Sequence, residues 1–187
     1  VYNIFKSLLD WRNRLHKLKS ILLIIFIFLI FQGNEEPSLV EEDKEEGEHM
    51  TMAYDKAEWH YEGDFPEGLD EDQGFVHTGM YLGWVIDNNL YSKEFKKVSS
   101  NEITKFKQSL LSGTEIYMNW DGVLASDMLS KEGNDFTKDY YDSGTYFEDY
   151  ADLFPDVNSV YEVNDTLDNY NIVKNKLNER FKEWKSE

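Results

Sequence analysis

Cysteine is absent from this chain, which excludes disulfides, thiolate metal ligands, lipid attachment at cysteine and a cysteine nucleophile. The same absence fits a reducing compartment. Positive charge is scarce, with 19 Lys and Arg against 37 Asp and Glu for a net charge of −18. Such a surface repels nucleic acid and anionic lipid and speeds association with cationic partners. The apolar run Ile21–Phe31, ILLIIFIFLIF, has eleven residues, well short of the ~20 that span a bilayer comfortably. Phosphate-binding glycine loops, a GxSxG elbow and an HExxH pair are missing. Asp121 to Glu132 has the outer residues of a calcium loop, but Val123 and Ala125 stand where oxygen ligands belong and no central glycine follows, so that reading is rejected. Neither an internal repeat nor a long linker interrupts the second part of the chain.

A core is affordable. Hydrophobic residues make up 41% and aromatics 16% of 187 residues, which argues against global disorder and for one domain plus an appendage. The appendage is residues 1–49. Lys6, Arg12, Arg14, Lys17 and Lys19 precede the apolar run, and an acidic stretch from Glu35 to Glu48 follows it. That order is the layout of a signal peptide or anchor, although the exit QGN lacks a small-x-small cleavage site. If the segment inserts, residues 20–31 make a single-pass anchor with the basic side in the cytoplasm. The competing reading, slightly favoured, is that translation starts at Met50 or Met52. The chain opens on Val1, and KEEGEH before Met50 is what a ribosome-binding sequence would encode. A cytoplasmic acidic domain over 50–187 is then expected, with a membrane involved only if residues 1–49 are translated.

Within that domain the expectation is mainly α, or α+β: a compact helical unit with at most a small β-hairpin. Residues 54–69 read as an extended lead-in and loop, punctuated by GDFPEG. Asp70 and Gln73 have capping-box spacing, and a helix over about 71–90 follows. Its apolar set (Phe75, Val76, Met80, Leu82, Trp84, Val85, Ile86, Leu90) wraps much of the circumference and marks it as the most buried helix. Gly79 and Gly83, four apart, imply a helix or ring packed close on that face, at about 1 kcal/mol each in intrinsic helix stability. Ser99 with Glu102 predicts a second capping box, with a helix that stops at Gly113. Short helices are expected at 115–120, 131–142 and 145–153. Ser159–Val163 alternates and is the best strand candidate, with a partner near Glu58–Tyr61. Leu167, Tyr170, Val173, Leu177, Phe181 and Trp184 define a last helix over 167–185, capped by Asp165 or Thr166.

For chemistry, His60 and His77 flank Glu62, Asp64, Asp70 and Asp72. Two imidazoles and a carboxylate are able to hold zinc or iron, with a neighbouring carboxylate as general base, and His60, His77 and Asp64 are the candidates for a metal-dependent hydrolase. Their spacing matches no metal motif, and a helical histidine is more often a packing residue, so no cofactor or metal is expected.

The string YDKAEWHYEGDFPEGLDEDQGFVHTGMYLGWVIDNNL, followed by GVLASDMLSKEGNDFTKDYY and VYEVNDTLDNYNIVKNKLNERFKEWK, resembles a family of small bacterial proteins of unknown function. The resemblance spans about residues 53–185 and implies a compact domain beginning near YDKAEWH. It implies no catalytic residues. By size and charge such proteins look like the immunity partners of bacterial toxins. The leading expectation is therefore a non-enzymatic inhibitor that docks on a basic toxin and does not bind nucleic acid. The contact residues would be Glu62, Asp64, Glu67, Asp70, Glu71 and Asp72, with Tyr61 and Phe65 as anchors.

Overall fold

The computed structural model of the protein describes residues 51–186. The expectations for residues 1–49 lie outside the described residues. Within them the fold is mainly helical with one small antiparallel sheet. The elements are β1 (Ala53–Lys56), α1 (Ala57–Tyr61), α2 (Val76–Asp87), α3 (Lys93–Val98), α4 (Ser100–Lys107), α5 (Gly113–Asn119), β2 (Val123–Ala125), α6 (Lys131–Phe136), α7 (Thr145–Leu153) and α8 (Leu167–Trp184). None of these helices is long and apolar enough to cross a membrane.

α2 is the axis of the core. Every residue from Val76 to Ile86 is buried, as an apolar set on all sides demands. The helix is shorter than its sequence pattern predicts. Asp70 accepts from the Asp72 amide at 3.0 Å, two residues on instead of three, and Glu71–Phe75 winds as a tighter 3-10 turn. At the other end Asn89 takes a left-handed φ of 55°, which closes the helix.

The two glycines do what their spacing implies. A Cβ on Gly79 would lie 2.3 Å from Thr114 Cα, while one on Gly83 would meet the Phe106 and Tyr170 rings at 3.1 to 3.2 Å. Gly113 completes the contact, because a Cβ there would stand 2.1 Å from the Gly79 carbonyl oxygen. Gly113 thus opens α5 instead of stopping the preceding helix. Its capping box is Ser112–Glu115, with Glu115 accepting from the Ser112 amide at 2.7 Å and Ser112 Oγ accepting from the Glu115 amide at 3.1 Å. The expected box at Ser99–Glu102 does not form. Ser99 is buried and its hydroxyl accepts from Trp120 Nε1 at 3.0 Å, so tertiary packing takes the side chain that the cap would have used.

The sheet pairs β1 with β2, Ala53 with Ala125 and Lys56 with Val123, with an irregularity between Ala53 and Asp55. It is not a hairpin, and neither strand is the one expected. Ser159–Val163 forms a 3-10 turn at Val160–Glu162, and its expected partner, Glu58–Tyr61, lies in α1. The segment packs against α2 and the 3-10 turn at Glu71–Phe75 instead of against a strand. The bulge in β1 leaves consecutive residues Tyr54 and Asp55 both buried, where a regular strand would turn one outward.

α6 continues into a wide π turn at Thr137–Tyr141. Thr137 Oγ1 donates to the Gly133 carbonyl at 2.6 Å, competing for the acceptor that an α-helical amide would use. α8 follows its predicted span to within one residue, capped by Thr166, which accepts from the Asn169 amide at 3.2 Å. It is tied to α7 by Arg180, whose Nε and Nη2 donate to Asp149 at 2.7 and 2.8 Å. Tyr140 also donates to that carboxylate at 2.8 Å. The Arg180 bonds, joined by Tyr140 and opposed by burial, hold the Asp149 carboxyl below its usual range. A carboxyl depressed in the folded state stabilises above its unfolded pKa of about 3.9 and loses that contribution as pH falls. Asp149→Asn should therefore cost about 1–2 kcal/mol at pH 7, discounted because Arg180 is partly exposed, with the difference from wild type closing below about pH 4. Urea midpoints across pH check this; a pH-independent difference would count against it.

Candidate functional site

Five elements deliver polar side chains to one place. Asp55 comes from β1, His60 from α1, His77 and Thr78 from the start of α2, Tyr141 from the end of the π turn and Tyr161 from the turn at Val160–Glu162. Asp55 Oδ1 lies 2.8 Å from His60 Nε2, His60 Nε2 lies 3.2 Å from His77 Nε2, and His77 Nε2 lies 3.6 Å from Asp55 Oδ2. These three residues converge on one point with one ligand atom each.

Each is held from behind. Thr78 Oγ1 donates to Asp55 Oδ2 at 2.9 Å, and the Tyr141 hydroxyl donates to the same oxygen. His60 Nδ1 is 2.9 Å from the Tyr161 hydroxyl, and the His77 backbone carbonyl accepts from Tyr146 at 2.6 Å. The electrostatics follow. Burial alone would raise the Asp55 pKa, but His60 and His77 more than offset it and hold the carboxyl well below its ordinary range. Burial also pushes the His77 imidazole down, leaving it neutral with a free lone pair. The Tyr141 hydroxyl is driven well above its usual value by burial and then by the Asp55 charge, so it stays a donor.

One group is left over. His77 Nδ1 is buried with no hydrogen-bond partner. A neutral imidazole has a single N–H. Placed on Nδ1 it has no acceptor; placed on Nε2 it faces His60 Nε2 at 3.2 Å and Asp55 Oδ2 at 3.6 Å, and since the two ring nitrogens point apart it is Nε2, not Nδ1, that meets the cluster. Tetrahedral zinc bonds of about 2.0–2.2 Å set ligand atoms about 3.3 Å apart, close to the separations seen. The hydrogen bonds from Thr78, Tyr141 and Tyr161 are of the kind that orient metal ligands. The residues present fit a divalent cation.

Asp55 and His60 reach a cavity of about 290 Å³ whose other lining side chains are Tyr54, Trp59, Tyr141, Tyr146 and Phe147, with His77 behind them. A larger cavity of about 420 Å³ lies elsewhere, between Phe106, Leu110, Leu167 and Tyr170; it holds no metal-ligating cluster among the described residues.

The sequence candidates separate in the structure. His60 and His77 come together, but their carboxylate partner is Asp55. Asp64 is exposed in the loop after α1 and has no hydrogen bond or ion pair to either histidine among the described residues. It acts on the site only at a distance, third after burial and Asp55 in raising the Tyr161 pKa. Glu62, Glu67, Asp70, Glu71 and Asp72 are exposed as well. Tyr61 and Phe65 are half-buried, Tyr61 stacked with Phe75 at 6.1 Å and Phe65 against Tyr161 at 4.8 Å, so both expected anchors already pack within the chain. Asp55, Thr78, Tyr141 and Tyr161 were not legible as site residues. Asp55 and His60 sit five apart across a strand-to-helix junction, a spacing that belongs to no regular element.

A family model described as a domain of unknown function, DUF7832, matches residues 53–163. The chain belongs to this family. No curated protein and no solved structure matches it. The DUF7832 match begins at the first residue of β1 and contains the whole Asp55–His60–His77 cluster with its supporting hydroxyls. It stops before α8, although Val173 and Leu177 of that helix are buried in the same core.

Proposed function

We propose that Asp55, His60 and His77 bind one divalent transition-metal cation of the zinc type and that the domain is a metal-dependent hydrolase. The observation that carries this reading is the convergence of one ligand atom each from Asp55, His60 and His77 on one point. Two histidines and one carboxylate leave a coordination position open, which is the arrangement of catalytic rather than structural sites. A bound cation of this kind lowers the pKa of its water to about 7 and supplies a hydroxide nucleophile. Thr78 and Tyr141 fix the carboxylate, and Tyr161 fixes the His60 ring. No second carboxylate lines the cavity among the described residues, so the proton moves directly between water, leaving group and solvent. The acidic inhibitor reading is supported by charge and exposure alone, and we place it second.

Protein stripped with chelator and titrated with zinc should take up one equivalent. His60→Ala should bind at least about a hundredfold more weakly, read as zinc affinity under urea-free conditions where the variant is still folded, since removing the partner of buried Asp55 also lowers the metal-free urea midpoint. Wild-type protein that takes up no zinc, or His60→Ala that binds as tightly, would remove the metal and the hydrolase together.

A further inference from the structure

The cavity in front of the cluster has walls of one kind. Five of its seven lining residues are aromatic, and the other two are Asp55 and His60. No lysine or arginine lines it. Trp59 is 55% exposed and Phe147 37% exposed, both large apolar surfaces left at the mouth. Phe147 lies nearly parallel to His60, with 12° between the rings at 6.4 Å. Lys56 is placed over the Trp59 ring with Nζ at 5.5 Å from its centre.

These features select among substrates. A phosphate or carboxylate ligand carries oxygens beyond the one a metal would take, and those normally meet arginine, lysine or backbone amides. Here the lining tyrosine hydroxyls already donate elsewhere, Tyr54 to Asn134, Tyr141 to Asp55 and Tyr146 to the His77 carbonyl, and electron-rich ring faces repel anions. The domain's excess of carboxylates opposes an anion on approach as well. A flat, uncharged ring suffers neither penalty. It removes the exposed apolar surface of Trp59 and Phe147 from water and stacks as Phe147 and His60 already do. The volume, near the lower bound of about 300 Å³ for ligand pockets, restricts it to a small molecule.

We infer that this site takes small uncharged esters or amides carrying an aromatic or heteroaromatic ring, with the ring held between Trp59 and Phe147 and the carbonyl turned to the Asp55–His60–His77 centre. The inference rests on the metal reading above. In the step it implies, hydroxide oxygen bonds to the carbonyl carbon. The bond to the leaving oxygen or nitrogen breaks, and the proton lost from the original water leaves with that group.

The test uses two probes with the same metal-binding head, benzohydroxamate and acetohydroxamate, with inorganic phosphate as the anion. Titrated into the zinc-loaded full chain, benzohydroxamate should bind at least about tenfold more tightly than acetohydroxamate, as burial of one ring implies. In Trp59→Ala that preference should shrink severalfold while acetohydroxamate affinity and zinc stoichiometry hold. Zinc binding with equal affinity for the two hydroxamates, a preference untouched in Trp59→Ala, or phosphate binding more tightly than benzohydroxamate would overturn the substrate class and leave the metal centre standing. Failure to bind zinc at all would remove both.

Discussion

Gly113→Ala should destabilise the domain by about 3 kcal/mol or more, enough to leave little folded protein at modest urea concentration. The new methyl would stand 2.1 Å from the Gly79 carbonyl oxygen, 2.8 Å from the Gly83 nitrogen and 2.9 Å from the Gly83 Cα. All three are backbone atoms of α2, the helix on which the core is built, so no side chain is available to move aside. Relief requires α5 to back away from α2, which opens voids around Ile116 and Tyr117, both fully buried. Gly79→Ala should behave alike, because it meets Thr114 backbone atoms at 2.3 and 2.7 Å. Gly83→Ala is the contrast. Its neighbours are the rings of Phe106 and Tyr170 at 3.1 to 3.2 Å, which are half-buried and able to shift, and alanine recovers about 1 kcal/mol of helix propensity. A near-neutral Gly83→Ala beside a severe Gly113→Ala in urea unfolding is the expected pattern. Equal midpoints for wild type and Gly113→Ala would mean that the two helices do not approach so closely.

Asp55→Ala should have the second large effect, in two separable readings. Without metal, Thr78, Tyr141 and His60 lose their shared acceptor inside a buried site, at a cost of about 3 kcal/mol. With zinc, the wild-type midpoint should rise by an amount set by the ratio of free zinc to Kd, about 2.7 kcal/mol at a hundredfold ratio. The variant should gain far less, because a carboxylate ligand has been removed from a set of three. Asp64→Ala serves as the control and should respond to zinc like wild type, since Asp64 is exposed and apart from the histidines. Should zinc stabilise Asp55→Ala as much as wild type, Asp55 is not a ligand. If Asp64→Ala alone loses the response, the carboxylate partner is the loop residue after all.

What could be read from the sequence was what depends on neighbours along the chain. The identity of α2 as the most buried helix followed from apolar residues on all its sides. The span of α8 followed from steps of three and four between Leu167 and Trp184, and the close approach at Gly79 and Gly83 from their spacing. The pairing of His60 with His77 was legible as a possibility because they stand on either side of one loop.

Tertiary structure decided everything that depends on partners distant in sequence. Ser99 has the spacing of a cap, yet Trp120 takes its hydroxyl. Ser159–Val163 has the alternation of a strand, yet it packs on α2 and the turn at Glu71–Phe75. β1 finds its ladder in Val123–Ala125 instead, nearly seventy residues on. That pairing, with its bulge, turns Asp55 into the core beside both histidines, while Asp64, closer to His60 along the chain, is left in solvent. Burial then sets the protonation there: it keeps His77 neutral and makes Tyr141 a donor. A periodic pattern specifies which face of a helix is buried. It does not specify which polar atoms meet once five separate elements close on one point.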